Sequence, residues 1–139
     1  GVKIMVMVDA RGLPVAVDTK PANPHESKLV QQCFDFMLSS DLPERLIGDK
    51  AYDSDALAEE LAEQGIELIA PHRKNRKREH KTQDGRPLRR YQRRWKVERT
   101  IAWLQNYRRL CIRWEKSTAM FQGFLHLGCT LLLLNEVLG

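Results

Sequence analysis

The spacing of apolar residues changes several times along the chain, and each change marks an element. KIMVMVD (residues 3–9) and LPVAVD (13–18) are β-branched runs parted by ARG, which predicts an antiparallel hairpin with Gly12 at a positive φ. Asp9 is thereby explained as a turn residue. NPHESKLVQQCFDFMLSS carries a helical stripe of Leu29, Val30, Cys33, Phe34, Met37 and Leu38, with Asn23 as N-cap, Pro24 at the first helical position and Glu26 closing a capping box. RLIGD predicts a short third strand and IELIAP a fourth, ended by Pro71. Between them SDALAEELAEQG reads as a helix capped by Ser54 or Asp55 and stopped at Gly65. A long helix is expected from about Leu88 to Leu110 and a last, buried one from about Thr118 to Leu138. Strands alternating with helices predict an α/β sheet flanked by helices, its opening hairpin antiparallel.

Composition adds one domain's worth of core and little else: 139 residues, 42% hydrophobic and 29% charged. FQGFLHLGCTLLLLNEVLG is the most apolar segment, but His126, Asn135 and Glu136 interrupt it, so no membrane span is expected. The first ten residues lack the pattern of a signal peptide. Cys33, Cys111 and Cys129 form neither a disulfide framework nor a zinc spacing, which fits a reducing cytoplasm.

Charge changes the picture. Residues 73–113 hold 16 of the 23 Lys and Arg against Glu79, Asp84 and Glu98, a net of +13, and leave −8 for the remainder. A split of this kind, without acids at i±4 to pair the cations, points to a polyanionic partner, and nucleic acid suits it better than a membrane surface. Within the basic region HRKNRKREHKTQDGRP (72–87) is polar and turn-rich, and reads as a mobile basic loop inserted in the domain.

Two acids stand out. Asp49 follows Leu46, Ile47 and Gly48 at the end of a predicted strand, where α/β folds place ligand sites. Asp53 and Asp55 are explained as helix caps, whereas Asp49 has no capping duty in this reading. Glu98 is the one acid between Gly85 and Trp114, and at 100° per residue it falls on one helix face with Tyr91, Arg94 and Gln105. Val97, Ile101 and Leu104 form the adjacent apolar strip, so Glu98 is expected to border the buried face. It is then either an ion-pair partner for the arginines or, with Asp49, a ligand for a hard divalent cation. The four histidines share no ligand spacing, and Trp95, Trp103 and Trp114 read mainly as core residues.

GDKAYDS, then Tyr91, Arg94 and Glu98 in the spacing Y-x2-R-x3-E, then RTIAWLQNYRRL and RWEK, resemble the C-terminal part of bacterial insertion-sequence transposases of the DDE type, over effectively the whole chain. The resemblance implies an RNase H-like mixed sheet flanked by helices and lacking its first strand, so that residues 1–139 form a single catalytic domain incomplete at its N-terminus. It implies that Asp49 and Glu98 are the second and third catalytic acids and ligands of Mg²⁺, or Mn²⁺ in its place. Tyr91 and Arg94 would contact DNA near the cleaved strand, with Lys50, Arg89, Arg90, Arg93, Arg99, Arg108 and Arg109 around them. The implied activity is metal-dependent strand cleavage and transfer on double-stranded DNA, at transposon ends and target, by a homo-oligomer in a bacterial cytoplasm beside the nucleoid. Two departures from the family pattern stand: Gln105 replaces a Lys, and the strand bearing the first acid is absent from these residues. On that count the polypeptide alone is expected not to cut DNA. The alternatives are a non-catalytic DNA-binding remnant and a structure-selective nuclease of the same fold.

Overall fold

The computed structural model describes residues 2–21, 23–24, 29–35, 37, 40–77, 89–111 and 117–139. They divide into two compact units, one of the described residues within 1–24, 29–39 and 96–139, the other of those within 40–95.

In the first unit β1 (Val2–Val8) pairs antiparallel with β2 (Pro14–Pro21), Met5 opposite Asp18 and Val6 opposite Val17, with an irregularity between Met7 and Val8. The connection is the expected tight turn: Gly12 has φ +89°, Asp9 and Leu13 are joined by a backbone hydrogen bond of 2.9 Å, and the Asp9 carboxylate accepts the amides of Arg11 and Leu13, each at 2.9 Å. Helix α1 (Val30–Phe34) packs on the hairpin through Val30 and Cys33. Leu29 is its N-cap, with no side-chain bond; Glu26 of the expected capping box lies outside the described residues.

The long helix expected from Leu88 is broken. Residues 89–91 are helical, Gln92–Arg94 tighten into a 3₁₀ turn, α3 runs Trp95–Gln105, and a turn at Asn106 and Tyr107 separates it from α4 (Arg108–Cys111). The buried line of α3 is Thr100 and Leu104, while Ile101 is 39% exposed and Glu98 lies at the surface rather than beside the core. Thr100 is buried because its hydroxyl donates to Gly12 O, and Lys96 Nζ and Arg99 Nη2 donate to Ala10 O and Arg11 O of the same turn.

Helix α5 (Thr118–Leu138) has the expected bounds but not the expected burial. Phe121, Leu125, Gly128 and Cys129 are buried, Leu125 and Cys129 with Val17 and Leu104 in one apolar cluster. Gly128 lets the helix approach closely there, since a Cβ would lie 3.0 Å from a Leu110 methyl and 3.2 Å from a Leu104 methyl. Met120, Leu127, Leu131, Leu134 and Leu138 remain exposed. By length and composition α5 could cross a membrane, yet it packs by one face on β2. A polar contact fixes that packing: the buried Asp18 carboxylate accepts from Gln122 Nε2 at 3.1 Å and lies 3.0 Å from Lys20 Nζ. Burial raises the thiols of Cys33 and Cys129 to about 12 and about 11, and all three cysteines are free.

In the second unit β3 (Arg45–Ile47) and β4 (Glu67–Ile69) pair in parallel, joined by α2 (Asp55–Glu63). Ser54 Oγ accepts the Leu57 amide, and Gly65 at φ +76° ends the helix. The described strands thus form two two-stranded sheets rather than one mixed sheet.

Candidate active site

Leu46 and Ile47 put the chain into β3, and Gly48 N–H still reaches Ile69 O at 3.0 Å. There the strand ends and Asp49 turns it. Contrary to the sequence reading, Asp49 does cap: its Oδ1 accepts the Ala51 amide at 2.7 Å at the head of a 3₁₀ turn, Lys50–Tyr52. One carboxylate oxygen is therefore oriented by the backbone, while the other, Oδ2, lies 3.9 Å from Arg94 Nη1 with the side chain 43% exposed. The Arg94 guanidinium also sits over the Tyr91 ring, 5.3 Å from its centroid. Asp49 is thus brought together with Arg94 and Tyr91, more than forty residues away in sequence, within one unit.

A second anchorage, missed by the sequence reading, holds the start of the basic segment on the same turn. Asp53 is not the α2 cap. Its side chain, 6% exposed, lies 2.9 Å from His72 Nδ1 and accepts Arg73 N at 2.8 Å and Arg76 Nη1 at 2.7 Å. Burial by itself would raise the Asp53 pKa, but these donors outweigh it and hold the carboxyl below its ordinary value. Arg76 also reaches Asp55, which raises the guanidinium's pKa, and Arg73 donates to Lys50 O at 3.0 Å and Ala51 O at 2.7 Å. His72, Arg73 and Arg76 are therefore tied to the Lys50–Asp55 stretch; residues 78–87 of the expected loop lie outside the described residues.

The other expected DNA contacts are distributed along the chain. Lys50, Arg89, Arg93 and Arg108 are exposed and Arg90 is half-buried. Arg99 is held by Arg11 O at 2.7 Å and lies 4.6 Å over the Trp103 ring. The side chain of Arg109 and all of Trp114 lie outside the described residues. Trp95 and Trp103 are 50% and 38% exposed, not core residues. Glu98 belongs to the first unit and Asp49 to the second.

Among the described residues no group of three or more His, Cys, Asp or Glu could share a metal ion. Asp49 is an oxygen donor of the kind hard cations take, with one oxygen held by the Ala51 amide and the other facing the Arg94 guanidinium, which competes with a cation for it.

A strand-end carboxylate thus faces an arginine, with the start of a basic segment tied to the same turn. The chain belongs to the transposase DDE-domain family, whose model matches residues 1–134. It is 32% identical over 145 residues to a protein described as a transposase for insertion sequence element IS402 of Burkholderia cepacia, an alignment covering 99% of this chain and 64% of that protein. It is 33% identical over 136 residues to one described as a transposase for element IS6501 of Brucella ovis, covering 96% and 98%. The chain thus spans less than two thirds of the first relative and nearly all of the second. No solved structure matches it.

Proposed function

We propose that this chain works in DNA transposition as an RNase H-like catalytic domain, in which Asp49 and Glu98 are metal-binding acids and Tyr91 and Arg94 hold the strand to be cut. The observation that carries the reading is Arg94, which joins the Tyr91 ring to Asp49. The support for Glu98 is its place in the Y-x2-R-x3-E spacing.

In this reading the chain's residues bind and orient. Asp49 keeps Oδ1 on the Ala51 amide and presents Oδ2 outward as a ligand. Arg94, half-exposed, exchanges its long contact with Asp49 for a DNA phosphate, and the Tyr91 ring limits where the guanidinium can go. Arg89, Arg90 and Arg93 neutralise neighbouring phosphates, with Lys50, Arg99, Arg108 and Arg109 as further contacts. Mg²⁺ held by the acids would stabilise the attacking and leaving oxygens of a phosphodiester displacement by water or a 3′-OH. The substrates are transposon ends and a target duplex, brought together by more than one copy in the bacterial cytoplasm.

The test is Mn²⁺ and duplex binding by the 139-residue chain. Asp49→Asn and Glu98→Gln should each weaken Mn²⁺ binding, and replacing Arg89, Arg90, Arg93 and Arg94 with Ala should flatten the salt dependence of duplex affinity. DNA binding with full salt dependence in the arginine variant, or Mn²⁺ binding indifferent to both acids, would refute the proposal.

A further inference from the structure

The basic segment is not uniform. Arg73 and Arg76 direct their guanidiniums into the protein, to Lys50 O, Ala51 O, Asp53 and Asp55, whereas Lys74 and Lys77 between and after them are exposed. Arg76 N also donates to Arg73 O at 3.1 Å, so residues 73–76 form a closed turn. The bonds that tie this turn down end on the Lys50–Asp55 stretch directly after Asp49, and several converge on one carboxylate, Asp53.

We propose that Asp53 is a positioning residue for DNA, locking residues 72–77 against the turn that Asp49 caps so that Lys74 and Lys77 bind phosphates of the same strand. The inference rests on the DNA reading above and adds to it a division of labour: arginines as clamps, lysines as contacts. The clamp works from both sides of one short turn. Asp49 takes its amide end, through Ala51 N, and Arg73 takes its carbonyls, through Lys50 O and Ala51 O. The lysines are therefore referred to the same piece of backbone as the acid. A cation on a fixed turn loses less freedom when it meets a phosphate than one on a free loop, so the clamp raises affinity without touching DNA.

The experiment is a double-mutant cycle on the 139-residue chain, reading the affinity of a duplex of about 20 base pairs by fluorescence anisotropy across a sodium chloride series. Replacing Lys74 and Lys77 with Ala should reduce the salt slope by about 1.8, two phosphates at about 0.9 each. Asp53→Asn should weaken binding on the order of tenfold in the parent chain and less than about twofold in the variant lacking both lysines, because its effect passes through them. A merely structural role would give the same loss in both backgrounds, and that result overturns the inference. So does an unchanged slope in the lysine variant. If Asp53→Asn does not fold, Arg76→Gln, which leaves the His72 and Arg73 bonds in place, replaces it in the same cycle with the same criteria. A parent chain with no salt-dependent binding would instead bring down the DNA reading, and this inference with it.

Discussion

Replacing Arg94 with Ala separates a binding residue from a structural one. In the structure Arg94 makes a long ion pair with Asp49, 3.9 Å between side chains 36% and 43% exposed, and a cation–π contact with Tyr91 at 5.3 Å. An exposed pair contributes about 0.2–1 kcal/mol. A cation–π contact at an exposed site contributes about 0.5–1 kcal/mol. The variant should therefore lose no more than about 2 kcal/mol of stability, measured by urea unfolding. Its loss on DNA should be salt-dependent. One phosphate contact changes log K by about 0.9 per decade of salt, so the advantage of the parent chain over the Arg94→Ala variant should shrink about 3.5-fold between roughly 50 and 200 mM salt. Arg94→Lys should keep that salt dependence, because the charge remains, while giving weaker binding because the planar fork is gone. Unfolding of the Arg94→Ala chain, or an affinity deficit that is the same at both salt concentrations, would refute a phosphate-binding role for Arg94.

Other outcomes follow from the packing. Leu125→Ala, in the apolar cluster at 1% exposure, should cost about 2–5 kcal/mol, whereas Leu134→Ala on the open face of α5 should stay within about 0.5 kcal/mol; equal losses in urea unfolding would mean that α5 is not one-faced. Gly12→Ala should destabilise by about 1 kcal/mol or more, since φ is +89° and the new Cβ meets Arg99 Nη2 at 2.7 Å; a thermal melt unchanged from the parent would contradict the turn geometry. Because the Asp53 pKa is depressed on folding, the stability it contributes is fully present above its ordinary 3.8 and is lost as pH falls through the folded value. The protection of the Arg73 amide against hydrogen exchange, taken relative to its intrinsic rate at each pH, should accordingly fall over that acidic range in the parent and show no such fall in Asp53→Asn.

Much of the fold was legible because its signals are local. The hairpin with Gly12, α2 between Ser54 and Gly65, and the bounds of β3, β4 and α5 each follow from period, cap or turn residues within a few positions. The break in the long helix was not, because Gln92–Arg94 and Asn106–Tyr107 contain no Gly or Pro and the apolar period runs on through them. Burial of α5 was misjudged for a different reason: a helix apolar on all sides does not say which side its neighbours leave open. At the site Asp49 was marked by its strand-end position, and Tyr91 and Arg94 by their spacing. The capping role of Asp49 was hidden, since a 3₁₀ turn three residues long has no periodicity to read. Asp53 looked like a cap beside Ser54, and its partners lie about twenty residues on, in a segment whose composition suggested a loop. The consecutive identities His72, Arg73, Lys74 and Asn75 give no hint of which cation turns inward; the carbonyls at Lys50 and Ala51 decide that.

The central claim, that Asp49 and Glu98 are metal-binding acids of a DNA-acting chain, is tested most directly by Mn²⁺ titration of isotope-labelled protein. Paramagnetic broadening should appear at the amides around Asp49 and around Glu98, and Asp49→Asn and Glu98→Gln should each weaken it around the residue replaced. Broadening confined elsewhere, or unaltered in the Asp49→Asn, Glu98→Gln double variant, would contradict it.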